Sequence, residues 1–163
     1  MRDMVYAPEE ILEMAIKVEE MGFITAPPES SVKALLLESG LQASDITAEK
    51  LRTFYAYAPE GEIVGVVGLE LFGTVALLRS LAVLEKSRKQ GIGVRLVSHA
   101  EGVAQANDIA ELYLLTATAE LFFKKIGFEK ISRDLAPAAI QQTAEFVGIC
   151  PKSAALMVKR FGH

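Results

Sequence analysis

Apolar residues recur at two spacings along this chain, and the alternation between them predicts its elements. Ile11, Leu12, Ala15 and Ile16 form a stripe at helical spacing. Pro8 suits a first helical position, Glu9 and Glu10 suit the first turn, and Gly22 suits a stop, so a helix is predicted over 8–21. Phe23–Thr25 reads as a short strand ended by Pro27 and Pro28. A second helix then runs to Ser39, with Ser30 or Ser31 as its cap and Gly40 as its end. After the polar stretch 44–50, Thr53–Ala58 has the aromatic and β-leaning composition of a strand. PEGE at 59–62 is a turn. Ile63–Leu71 is nearly all apolar, as expected of a strand covered on both faces. Phe72-Gly73 turns it into Thr74–Val83, giving an antiparallel hairpin.

Helix and strand alternate from there. Gly91–Asn107 places Ile92, Leu96, Val97, Ala100, Val103 and Ala104 on one helical face, and Leu112–Thr116 is a short buried strand. Thr118 is the expected cap of a helix carrying Ala119, Phe122, Phe123 and Ile126 at i, i+3, i+4 and i+7, with Lys124 and Lys125 in its last turn and Gly127 as its stop. Phe128–Arg133 and Ala154–Arg160 read as strands, and a short helix is expected within 137–153. The strand–helix–strand crossover from Thr74 to Thr116 predicts one parallel pair inside a mostly antiparallel sheet.

Composition narrows the function classes. A chain of 163 residues, 51% of them hydrophobic, suits a single well-buried domain. No run reaches the roughly 18–20 apolar residues that span a bilayer, and the N-terminus lacks the basic start and apolar core of a signal peptide, so no membrane role is expected. A formal net charge of −4 disfavours nucleic acid as a partner. Cys150 is the one cysteine, so no internal disulfide can form, which fits a reducing, cytoplasmic compartment. With His99 and His163 as its two histidines, the chain offers no metal-ligand set. His99 is read as structural, and Cys150 as a packed thiol.

One local feature stands out against the acidic background. Lys86, Arg88, Lys89 and Arg95 surround Gly91-Ile92-Gly93, where a strand gives way to a helix. Backbone N–H groups at a helix start have no intrahelical partner and carry positive partial charge, and glycine lets an anion approach them closely. The residues alone allow two readings: a solvated strand-to-helix turn, or a phosphate cradle.

Context favours the second reading. Arg88-Lys89-Gln90-Gly91-Ile92-Gly93 resembles the (Q/R)-x-x-G-x-(G/A) pyrophosphate loop of the GNAT superfamily of N-acetyltransferases. The run from Ala119 to Phe128, AELFFKKIGF, is similar to that family's A-x-x-x-Y-x-x-x-G-F signature. The resemblance covers Phe23 to Arg160 and leaves residues 1–22 as an N-terminal helical extension to a domain over 23–163. It implies an α/β (α+β) fold, a mixed sheet of about seven strands flanked by helices, with the fourth and fifth strands splayed around acetyl-CoA. Backbone groups of Leu81, Ala82 and Val83 would then pair with pantetheine. Arg88, Lys89, Gln90, Gly91, Ile92, Gly93 and Val94 would hold the pyrophosphate. Thr116, which replaces the family's frequent asparagine, and Phe122, Phe123 and Lys125 would line the other wall. Phe123 stands where the family's usual tyrosine protonates the departing thiolate, and phenylalanine has no proton to give. GLELFG, ALLRSLAV, ELYLLT, AELFFKKIGF and TAEFVGICPKSA are similar to a bacterial subgroup associated with arsenic-resistance operons.

The resemblance implies acetyl transfer to the amine of a small molecule, including one that bears a carboxylate. An acyl-CoA-binding module with little catalysis and a protein N-acetyltransferase are the alternatives. A protonated amine must lose its proton before it attacks, and Glu70, near the central hairpin, is the candidate base. Arg79 lies between apolar runs on the fourth strand, so its charge needs a partner, either Glu70 or a substrate carboxylate. Arg133 is a weaker candidate for the same task. The apolar stripe of the first helix must be buried, over the acceptor cleft or in a homodimer.

Overall fold

In the computed structural model the described residues are 7–10 and 22–162. They form one seven-stranded sheet in the order β1-β2-β3-β4-β5-β7-β6. The strands are β1 Phe23–Thr25, β2 Phe54–Tyr57, β3 Gly65–Phe72, β4 Val75–Val83, β5 Glu111–Thr116, β6 Glu129–Ile131 and β7 Ala155–Arg160. Every neighbouring pair is antiparallel except β4–β5, the predicted parallel pair. The helices are α1 Glu29–Glu38, α2 Ile92–Ala106, α3 Glu120–Lys125 and α4 Ala138–Gln141. Pro8–Glu10 are helical, and residues 11–21 of the predicted first helix lie outside the described residues.

Side-chain alternation sorts the sheet into two apolar faces. Val67, Leu69 and Leu78 point to the face covered by α2, where they pack with Leu96, Val97 and Ala100. Their neighbours Val66 and Leu77 point the other way. Val66 joins Val32, Leu35 and Leu36 of α1, and Leu77 joins Tyr113, Ile140 and Leu156 beside α4. Val66, Val67, Leu69, Leu77 and Leu96 are wholly buried. The near-continuous apolar run of β3 therefore reflects cover on both faces, as its sequence predicts.

Several local expectations need correction. Neither Ser30 nor Ser31 caps α1; the helix starts after Pro28, with no side-chain cap. Thr118 does not cap α3 either. The helix opens after Ala119 with no side-chain cap, and Thr116 Oγ1 accepts the Ala119 N–H at 2.9 Å in the turn before it. The short helix expected within 137–153 is α4, and a single π-helical turn over Glu145–Ile149 follows it.

Candidate active site

The parallel pair is short. β4 and β5 pair at Val75–Glu111, Ala76–Leu112 and Leu77–Tyr113 and no further. Beyond Leu77, β4 stays paired with β3 and β5 stays paired with β7, so the sheet forks. A bulge accompanies the split: Gly68 faces Arg79 and Val66 faces Ala82, which gives β4 one extra residue between the two pairs. Ser80 absorbs it at φ 57°, left-handed backbone that a serine seldom adopts. The edge of β4 from Leu78 to Val83, including the expected Leu81, Ala82 and Val83, is thereby left without β5 as a partner.

The loop after β4 leads into α2 through two left-handed residues, Lys89 at φ 66° and Gly91 at φ 79°. Alternating backbone hands of this kind aim successive N–H groups into one concavity, a shape suited to an anion. The first helical bond of α2 runs from Arg95 N–H to Gly91 O, so Ile92, Gly93 and Val94 start the helix with N–H groups that have no intrahelical acceptor. Phe122 lies against Gly93, where an added Cβ would sit 3.4 Å from its ring. Arg88, Lys89, Gln90, Gly91 and Val94 are exposed, and Gly93 is half-buried. Arg88 Nε donates to Val83 O at 3.0 Å, and Arg95 Nη1 donates to the Tyr57 hydroxyl at 3.3 Å. Chain geometry thus brings the loop, the free edge of β4 and Phe122 to one end of the fork. Phe123 is packed edge-to-face between Phe122 and Phe128, Lys125 is exposed, and the Thr116 hydroxyl is engaged at the start of α3.

A second polar assembly sits two residues past the last β4–β5 pair. The Arg79 side chain is 1% exposed. Its Nη1 donates to Asp45 Oδ2 at 2.5 Å and to Glu70 Oε2 at 2.7 Å, its Nη2 to Asp45 Oδ1 at 2.7 Å, and its Nε to Ser80 Oγ at 3.0 Å. Glu145 Oε1 completes the set as an ion pair 3.0 Å from Nη2. Lys50 Nζ lies 2.6 Å from Asp45, and Cys150 Sγ donates to the other oxygen of Glu145. Room for the guanidinium comes from a row across three strands. Gly68 lacks a side chain, the Phe54 ring fills the space where a Cβ would stand 2.4 Å away, and Arg79 lies 5.8 Å from the centre of that ring.

Charges shape one another in this cluster. Burial alone would raise the Asp45 carboxyl, but hydrogen bonds from Arg79 and Lys50 outweigh it and hold the group down at about 2. Burial disfavours the Arg79 cation, yet hydrogen bonds to Asp45 and Glu70 push its proton affinity above the ordinary value. The Cys150 thiol is pushed up to about 12, first by burial and then by the Glu145 carboxylate.

Glu70 and Arg79 are therefore partners, as one of the two sequence readings expects. Asp45, Lys50 and Glu145 escaped the sequence reading because each lies on a connecting segment far along the chain. Arg133 serves the same region differently. It donates to Ala154 O at 3.0 Å and Phe146 O at 3.3 Å and covers the Phe146 ring at 4.4 Å, tying down the segment that carries Glu145. His99 stacks on Phe23 at 4.2 Å and meets Tyr55 edge-on. Among the described residues no group of His, Cys, Asp and Glu is arranged to hold a metal, and no helix is long and apolar enough to cross a membrane.

Residues 50–130 match the family described as acetyltransferase (GNAT) domain. An uncharacterized N-acetyltransferase of Chlorobaculum tepidum is 33% identical over 105 residues, which cover 64% of this chain and 65% of that relative, just under two thirds of its length. N-acetylglutamate synthase from Neisseria gonorrhoeae, solved with coenzyme A and N-acetyl-glutamate, superposes with a TM-score of 0.75 at 21% identity over 86% of this chain and 35% of its own. Rv2747 from Mycobacterium tuberculosis, solved in complex with CoA, superposes with a TM-score of 0.67 at 18% identity over 86% of this chain and 99% of its own. At those identities the two structures speak for the fold alone. In sequence the chain is thus similar over residues 50–130 to the acetyltransferase (GNAT) domain family, and in fold to the two solved structures.

Proposed function

We propose that this protein transfers the acetyl group of acetyl-CoA to the amine of a small molecule in a ternary complex. The observation that carries this reading is the fork: a free β4 edge ending in a backbone concavity over residues 88–94. The concavity suits a diphosphate, and the free edge suits an extended amide-bearing arm, which together describe coenzyme A. In this reading Leu81, Ala82 and Val83 bond the arm and the loop N–H groups hold the diphosphate. The neutral amine attacks the thioester carbonyl, a C–N bond forms, the C–S bond breaks, and CoA leaves as its thiolate. Glu70 is the proposed acceptor of the amine proton. Its Oε2 is committed to Arg79, so the proton would be taken on Oε1. Phe123 cannot protonate the thiolate, which leaves water, the acceptor's own nitrogen as the tetrahedral intermediate collapses, or another side chain as the proton source. The likeness to the arsenic-resistance subgroup supports a small detoxified molecule as the acceptor, and the single cysteine fits a cytoplasmic setting.

Phe123 also favours a second reading, an acyl-CoA-binding module with little turnover. Release of free CoA thiol from acetyl-CoA, measured over a panel of small amines, separates the two. Amine-dependent release that Glu70→Gln slows supports the enzyme. Tight acetyl-CoA binding without release on any amine supports the module.

A further inference from the structure

Three carboxylates and two cations meet around Arg79, so the cluster carries one negative charge in excess. The three are not held alike. Asp45 grips both terminal nitrogens at 2.5 and 2.7 Å and is fixed again by Lys50, and Glu70 stands on β3 itself at 2.7 Å. Glu145 makes the longest contact of the three, an ion pair at 3.0 Å, and it stands on a π-helical turn between α4 and β7 rather than on the sheet. Val147 on the same turn is 67% exposed while Glu145 is buried, so the turn has one face toward solvent and one toward Arg79. Arg133 ties down the turn at Phe146 and Ala154. Arg79 lies just where β4 and β5 part, beside the place the proposed reaction requires the amine to reach.

We propose that Glu145 is a specificity-determining residue: it occupies, on Nη2 of Arg79, the place that the acceptor's carboxylate takes, so that acceptors bearing a carboxylate displace it and acceptors without one do not. This rests on the reading of the fork as an acetyl-transfer site with a carboxylate-bearing amine as acceptor. The chemistry supports the exchange. One carboxylate replaces another on the same guanidinium, so the buried cation is never left uncompensated, and the carboxylate that leaves moves toward water. An uncharged acceptor would leave Glu145 in place and meet an occupied guanidinium.

The molecule holds its own reporter, because Cys150 is the one cysteine in the chain and its thiol donates to Glu145. Moving that carboxylate away removes a neighbour that suppresses the thiolate. The test is the rate of Cys150 alkylation by iodoacetamide in the full-length, CoA-saturated protein. Glycine and L-alanine are compared with glycinamide and L-alaninamide at matched ionic strength. The carboxylates should accelerate alkylation severalfold and the amides should not, and Glu145→Gln should alkylate fast under every condition. Equal rates with carboxylates and amides in the unmodified protein would overturn the proposal, and that arm needs no variant to fold. So would Glu145→Gln alkylating as slowly as the unmodified protein. Alkylation is read without turnover, so a failed acetyl-transfer assay leaves it interpretable. A carboxylate-dependent rate with no CoA release would sink the enzymatic reading while keeping the exchange at Arg79.

Discussion

The two polar regions of the fork are built in opposite ways. The loop over residues 88–94 is local, largely exposed and made of backbone: two of its residues are left-handed, and Ile92, Gly93 and Val94 open α2 with N–H groups that have no intrahelical acceptor. The Arg79 cluster is non-local, buried and made of side chains drawn from β3, β4 and two connecting segments, with Asp45 at 34 positions' separation from its partner. A local backbone cradle has its shape whether or not a ligand is present, and it contributes little to holding the domain together. A buried ionic knot joins elements, so removing one member leaves charges stranded in the interior. Function at the first should therefore be separable from stability, and at the second it should not.

The largest effect that could break this contrast is on Arg79. Arg79→Met would leave Asp45, Glu70 and Glu145 facing one another with Lys50 as the remaining cation. Removing one partner of a buried pair costs about 3–5 kcal/mol. At about 2–4 °C per kcal/mol for a chain of this size, the melting temperature should fall by roughly 10 °C. Arg79→Lys keeps the charge but loses the planar fork, and it should recover part of the loss. Differential scanning calorimetry at neutral pH decides the matter, and a Met variant that melts with the unmodified protein would show that the knot does not bind the elements together.

At the loop the expectation is reversed. Gly91 sits at φ 79°, and nothing lies within 4 Å of a Cβ built there. Aspartate tolerates that backbone better than most residues, so Gly91→Asp should fold. Its carboxylate would stand at the proposed diphosphate position, and CoA affinity by calorimetry should weaken at least tenfold, about 1.4 kcal/mol. Gly91→Asn, the same shape without the charge, should retain most of the affinity. Matched affinities for Asp, Asn and glycine at this position would show that the diphosphate lies elsewhere.

The contrast also explains what could be read from the sequence. Glycine spacing, a basic flank and the strand-to-helix switch all fall within one short window, so the loop announces itself. The alternation of Val66, Val67, Leu77 and Leu78 likewise carries both faces of the sheet in plain view. Arg79 between apolar runs signals that a buried cation needs an anion, and Glu70, one hairpin away, is the partner that local spacing suggests. Asp45 and Glu145 carry no such signal. One sits in a polar stretch and the other in a π-helical turn, and their convergence depends on how the connections cross the sheet. The caps are hidden from local sequence for a related reason. Ser30, Ser31 and Thr118 have suitable side chains, but α1 starts directly after Pro28, and α3 opens after Ala119, whose N–H is taken by Thr116 at the end of β5.

The smallest expected effect tests the knot by pH rather than by deletion. Asp45 is held at about 2 in the folded protein against an ordinary value of 3.8. A carboxyl whose folded value is depressed binds its proton more readily in the unfolded chain. Its contribution to stability is complete above the unfolded value and disappears as pH falls through the folded one. For Asp45 the window runs from 3.8 down to about 2. Asp45→Asn removes the titrating group and its charge-assisted bonds to Arg79 and Lys50. The unmodified protein should exceed the variant in unfolding free energy by a constant margin at neutral and mildly acidic pH. That margin should then shrink as pH drops through the window, because the protonated aspartic acid becomes as poor a partner for the guanidinium as asparagine. Taking the difference between the two proteins cancels the acid sensitivity of every other carboxylate that the substitution does not disturb. Urea titrations of both at a series of pH values measure it. A margin that stays flat down to pH 2 would mean that Asp45 owes its place to packing, and the knot would then rest on Glu70 and Glu145 alone.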